Sequence, residues 1–159
     1  MKSLHIQKGF TLIELLLVSA ITIVLVAAAF PIAANLLVNS QLNETATQAV
    51  QNLRFARTMS AARLNNSPHG IYFESNPAGP DRYTLFQGVS YAARAQSYDR
   101  IITLDSALSI VPSLSLGATE IVFSAPFALP SSTGTVSFIH SVSGSRTISI
   151  NSAGTNEYE

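Results

Sequence analysis

The 159-residue chain has no cysteine. That removes disulfides, thiol nucleophiles and thiolate-ligated metals in one step. A domain that folds outside the cytoplasm without disulfides must rely on its core alone. Histidine is scarce too: His5, His69 and His140 are the whole set. They are scattered and lack neighbouring acids, which does not make a zinc site. Charge is sparse at 11% of residues, with nine basic and nine acidic side chains. No global basic field is available to attract nucleic acid or an acidic membrane surface. Serine is plentiful, yet there is no Gly-x-Ser-x-Gly elbow and no phosphate-cradling glycine loop. These absences argue against an enzyme and imply no cofactor and no metal. No internal repeat is visible.

What the chain does have is one long apolar run. From Phe10 to Phe30 the only charged side chain is Glu14. As a helix the run reaches about 30 Å, enough to cross the hydrocarbon core of a bilayer. Lys2 and Lys8 precede it, and no basic residue follows until Arg54. The lysine side is therefore expected to stay cytoplasmic, with everything after the run exported. Ala27-Ala28-Ala29 imitates the cleavage site of an ordinary secretory signal. Gly9 offers a different break, before the apolar part, and a cut there leaves the anchor on the mature protein. Glu14 is the other anomaly. A carboxylate in a lipid-facing helix costs about 2.5–3.5 kcal/mol on insertion scales, so it reads either as functional or as a snorkelling interfacial acid.

The stretch Lys8-Gly9-Phe10-Thr11-Leu12-Ile13-Glu14-Leu15-Leu16 resembles the type III signal of type IV pilins and type II secretion pseudopilins. The resemblance implies a leader of residues 1–9, removed after Gly9 by a prepilin peptidase that then methylates the new amino terminus at Phe10. It implies that Glu14 pairs with the terminal amine of a neighbouring subunit. The implied partners are other pilin or pseudopilin subunits, an inner-membrane assembly platform and membrane lipid. The implied locations are the inner membrane, in a single pass with the head outside, and then a filament. Loss of the leader takes Lys2, Lys8 and His5 with it, leaving seven basic and nine acidic residues, a net of −2.

Residues 10–35 form the transmembrane and assembly half of the expected helix. Pro31 removes one helical hydrogen bond and clashes with the carbonyl of Ala27, so a kink is expected there. A kinked continuous helix is favoured over two helices, because Ile32 to Ala34 and Leu36 to Val38 remain fair helix formers. Residues 36–66 form the outer, amphipathic half. Leu42, Ala46, Ala49, Val50, Leu53, Ala56 and Leu64 make one stripe at helical spacing, with Gln41, Asn43, Gln51 and Asn52 off it. Phe55 and Met59 form a separate patch, expected to be covered by loops or by a neighbouring subunit. Asn65-Asn66-Ser67-Pro68 is the stop signal.

Residues 67–159 switch to a period of two and read as a β-rich head. Strands are expected at 71–73, 83–86, 100–104, 108–111 and 120–124, with a final hairpin of 135–140 and 146–151. The fold class is α+β: a long N-terminal helix packed on an antiparallel β head. The stretches Val50 to Arg57, Gly70 to Phe73 and Arg146 to Gly154 resemble the pseudopilin H and FimT-like minor subunits. Some FimT-like subunits bind DNA through a basic motif near the C-terminus. Here that region holds Arg146 alone and ends in Asn156-Glu157-Tyr158-Glu159, whose acids repel phosphates. A nucleic-acid partner is thus disfavoured. The alternative of a binding subunit for DNA uptake or adhesion rests on Tyr91, Arg94, Tyr98 and Arg100.

Overall fold

The computed structural model describes residues 10–142, 144–154 and 156–158, with side chains placed outside 29–35 and 156–158. The leader 1–9, including Gly9, lies outside the described residues. Helix α1 runs unbroken from Leu12 to Ala61 and contains Pro31. The chain divides into two compact units, one ending at Leu37 and one spanning Val38–Glu159.

In the first unit α1 is apolar on every side, and its side chains from Leu12 to Ala28 are exposed. The hydroxyls of Ser19 and Thr22 in this stretch are satisfied locally. Ser19 Oγ donates to the Leu16 carbonyl at 2.9 Å, and Thr22 Oγ1 to that of Val18 at 2.8 Å. Such back-bonding lets hydroxyls sit in apolar surroundings without an orphaned donor. Among the described residues, no helix is by itself long and apolar enough to cross a membrane. The side chains described in this stretch end at Ala28, short of the end of the sequence run at Phe30.

Among the described residues, the second unit joins the outer half of α1 to nine strands: β1 (His69–Glu74), β2 (Arg82–Gln87), β3 (Arg100–Thr103), β4 (Leu108–Leu114), β5 (Glu120–Ser124), β6 (Leu129–Pro130), β7 (Gly134–His140), β8 (Gly144–Ile150) and β9 (Asn156–Tyr158). They form two antiparallel sheets, ordered β3-β2-β1-β5-β6 and β4-β7-β8-β9. The alternation of side chains aims Ile71, Phe73, Tyr83 and Leu85 of the first sheet at the core. Val136, Phe138, Ile148 and Ile150 do the same from the second. Leu42, Ala46, Ala49, Val50, Leu53 and Ala56 of α1 complete one continuous core. The alanines on that stripe allow strands to approach the helix closely. Gly70 performs the same service between strands: a Cβ there would lie 2.6 Å from the Ile121 carbonyl.

Four expectations need correction. Helix α1 stops at Ala61, before the Asn-Asn-Ser-Pro signal, because Arg63 already adopts a left-handed conformation (φ 52°, ψ 39°). Leu64 therefore leaves the stripe; it sits in a one-turn 3-10 helix and is 47% exposed. Asn52, placed off the stripe by its polarity, is buried and donates to the Tyr83 hydroxyl at 3.0 Å. The Phe55 and Met59 patch divides within the chain, with Met59 packed on the core and Phe55 50% exposed, which leaves cover by a neighbouring subunit open to it. Strand β4 also continues through Pro112. It is an edge strand, where a missing N–H can be accommodated.

Candidate functional site

The N-terminal site is built by the first turn of α1. Thr11 caps it: its Oγ1 accepts the Glu14 N–H at 3.3 Å, and its carbonyl accepts the Leu15 N–H at 3.2 Å. Thr11-Leu12-Ile13-Glu14 has the spacing of a capping box. An acid in a first turn also meets the positive end of the helix dipole. The sequence reading missed this local role for Glu14, although Thr-x-x-Glu is its signal. Phe10 and Glu14, four residues apart, line one shallow groove of about 300 Å³ with Leu15, Val18 and Ser19. Phe10 is 84% exposed. The structure thus brings Phe10 and Glu14 to one face. Gly9 lies outside the described residues, and Pro31 lies within the helix, far along the chain from this groove.

In the head, polar side chains lock elements together. Asp81 is buried and joins the two sheets: Oδ1 accepts the Asn76 N–H at 2.7 Å and Oδ2 the Ile110 N–H at 2.6 Å. Nothing local in the sequence marks the Ile110 N–H, twenty-nine residues away, as the partner of Asp81. The end of α1 is clasped to β1 through Ser60, whose Oγ accepts the main-chain N–H of His69 at 2.8 Å. Burial pushes the His69 imidazole below its ordinary pKa, opposed by hydrogen bonds at Ser67 and Gln87. Burial also raises the Tyr83 phenol, opposed by the bond from Asn52. His140 is buried at the end of β7, with Nδ1 accepting the Val142 N–H at 3.2 Å.

The aromatic loop after β2 folds back over the outer face of the first sheet. The Tyr91 ring stacks on Tyr72 with centroids 3.9 Å apart and meets the Phe86 edge at 5.6 Å. The Arg94 guanidinium lies 3.7 Å from the Tyr91 centroid and pairs with Asp99 at 2.7 Å. The Tyr91 N–H donates to Glu120 Oε2 at 2.7 Å. Tyr72 and Arg94 occupy the two faces of the Tyr91 ring, so it offers no free platform to a polymer. Tyr98 and Arg100 remain exposed beside it. The alternative of a binding subunit rested on these four side chains, and two of them, Tyr91 and Arg94, pack within the head. Among the described residues no group of His, Cys, Asp and Glu is clustered as metal ligands.

Residues 4–30, which contain Gly9, Phe10 and Glu14, match the prokaryotic N-terminal methylation motif. The structure is similar to the type IV minor pilin FimU of Pseudomonas aeruginosa in two crystal forms. One shares 18% identity at a TM-score of 0.50, covering 74% of this chain and 92% of FimU. The other shares 17% identity at 0.52, covering 76% and 90%. The chain has a pilin fold behind a methylation motif. At this identity the likeness to FimU is one of architecture: a long N-terminal helix packed on antiparallel sheets. Among curated proteins none matches the sequence. The groove lies in a stretch of α1, Leu12 to Ala28, whose described side chains are all exposed.

Proposed function

We propose that the protein is a structural subunit of minor-pilin type, made as a prepilin and assembled into a thin filament through its N-terminal helix. The observation that carries this reading is the methylation motif over residues 4–30 at the head of a pilin fold. Prepilin peptidase cuts after Gly9 and methylates Phe10. The run from Phe10 to Phe30 then holds the subunit in the inner membrane with the head outside, until the assembly platform draws it into the filament. Inside the filament Glu14 meets the amine of Phe10 from a neighbour. A buried acid becomes tolerable when a cation neutralises it, and a buried pair that loses one partner is strongly destabilised. Pro31 supplies a bend or local loosening of the helix. The head needs no cofactor for this role.

The test is intact-mass measurement of protein from cells with the machinery intact. Mature chain should begin at Phe10 and carry one methyl group. Gly9→Val should accumulate uncleaved precursor in the membrane, because a branched side chain obstructs the cut. Retention of residues 1–9 in the parent, or a cut after Ala29, would reject the reading.

A further inference from the structure

A groove of about 560 Å³ lies between the outer end of α1 and the turn that joins β5 to β6, with Arg54, Arg57 and Thr58 on one wall and Phe127, Ala128 and Gly154 on the other. Small-molecule sites occupy about 300–1,000 Å³. No acid lines the groove. The ion pairs among the described residues are Arg82–Glu74 and Arg94–Asp99, so neither guanidinium of the groove meets a carboxylate in that way. Two like charges three apart on a helix repel each other. The helix dipole does not account for them either: no base stands in the last turn of α1, and the pull of the dipole falls off within that turn.

The walls hold this charge in place without covering it. Arg57 is half-buried and donates from Nη1 to the Gly154 carbonyl at 3.2 Å. Gly154 has φ 73°, and a Cβ on it would stand 3.3 Å from Arg57 Nε, so the glycine leaves room for the guanidinium. Arg54, one turn earlier, is exposed. Thr58 Oγ1 donates to the Arg54 carbonyl at 2.9 Å, and its lone pairs remain to accept from a ligand. On the opposite wall Ala128 is buried at φ 50°, a left-handed conformation that a residue with a Cβ rarely adopts. Strained backbone of this kind clusters at ligand clamps. Beside it Phe127 is 78% exposed at the rim and stacks on no other ring among the described residues.

We propose that this groove binds a carboxylate-bearing sugar, the uronate unit of an acidic polysaccharide. The guanidinium forks of Arg54 and Arg57 match a planar carboxylate, which accepts two parallel hydrogen bonds. Thr58 Oγ1 and the second lone pair of the Gly154 carbonyl accept from sugar hydroxyls. Phe127 offers an apolar ring on which the C–H face of a pyranose packs. Other anions leave one of these groups unused. A DNA backbone brings charge without hydroxyl donors, and an acidic peptide brings carboxylates without a rigid ring face. This site goes beyond the structural role proposed above and rests on it only for placing the head outside the inner membrane, within reach of extracellular polymers.

The test uses the full chain purified in detergent and titrated by calorimetry with tri-galacturonate, its uncharged methyl ester, tri-glutamate and a short oligo-dT. Tri-galacturonate should bind, and the ester should bind about tenfold more weakly, as loss of a charge-assisted pair predicts. Arg54→Gln and Phe127→Ser lie at exposed positions and should melt like the parent. They should weaken tri-galacturonate binding about tenfold and about threefold respectively. Arg100→Gln, the same charge change at an exposed position outside the groove, should leave affinity within about twofold. No binding up to about 10 mM, equal binding of the ester, or groove variants with the parent's affinity would each overturn the proposal. Tighter binding of tri-glutamate or oligo-dT would overturn it as well and assign the groove to an acidic peptide or to DNA. Binding is measured on purified protein, so its failure leaves the subunit reading intact. Absence of the parent from sheared filaments would overturn that reading and leave this site standing.

Discussion

The two halves of α1 are one helix meeting two different surroundings. From Leu12 to Ala28 every side is apolar and every side is exposed. From Val38 to Ala61 one side is buried against strands and the other is polar. A helix hydrophobic all round has to be covered by something outside its own domain, whereas an amphipathic helix is covered by its own head. Folding of the head and burial of the anchor are therefore separable, and substitutions in each half should fail in different assays.

Leu53→Asp should have the largest effect. Leu53 is fully buried in the centre of the helix–sheet core, and an unpaired carboxylate there costs on the order of 4 kcal/mol or more. The isolated head, Val38–Glu159, should lose its cooperative thermal transition by circular dichroism. An unchanged melt would mean that the outer half is not what the head folds around. Glu14→Leu should do the reverse. The head should melt normally and the membrane fraction should be unchanged, yet the ratio of filament-bound to membrane-bound protein should fall sharply. Loss of one partner from a buried pair costs about 3–5 kcal/mol. Exposed pairs contribute about 1 kcal/mol or less. An unchanged ratio would leave the Glu14 carboxylate only its favourable place at the positive end of the helix dipole.

Asn52→Ala is a smaller effect that sharpens the boundary of the buried stripe. It strands the Tyr83 hydroxyl inside the core, at a cost of about 1–3 kcal/mol. Adding Tyr83→Phe removes the orphaned hydroxyl and should recover part of that loss. Additive losses in the double variant would show that the 3.0 Å bond contributes nothing.

What the sequence made legible was whatever repeats with a fixed period. The stripe from Leu42 to Ala56, the pairing of β1 with β2, strand β5 and the β7–β8 hairpin all follow from apolar spacing of 3.6 or 2. Single polar residues that bond across long stretches of chain were not legible. Asn52 reads as surface until Tyr83 is brought over it, and Asp81 reads as a turn until β4 arrives with the Ile110 N–H. Tyr91 and Arg94 look like a binding surface because nothing local says that Tyr72 lies beneath them. Strand β9 was read as an acidic tail, since its pairing with β8 is set by main-chain geometry rather than by an apolar pattern. At the N-terminal site the residues themselves carried the motif, and the structure added the capping of Glu14 by Thr11.

The smallest effect lies where α1 hands over to the first sheet. His69 is buried next to the Ser60 clasp, and its Nδ1 has no hydrogen-bond partner among the described residues. Burial holds its pKa below the ordinary value of about 6.5, so the folded head prefers the neutral ring. The unfolded chain then binds more protons than the folded one in the window just below that value. Stability is therefore fully present above about pH 6.5 and declines as the pH falls toward the lowered folded pKa. Melting temperatures of the isolated head taken about one unit on either side of 6.5 should differ, with the acidic sample lower. His69→Gln keeps the main-chain bonds to Ser60, since those use the His69 backbone, and removes the titrating ring. It should flatten that difference. If the variant keeps the parent's full pH slope, the acid sensitivity belongs to other groups and His69 is silent at the junction.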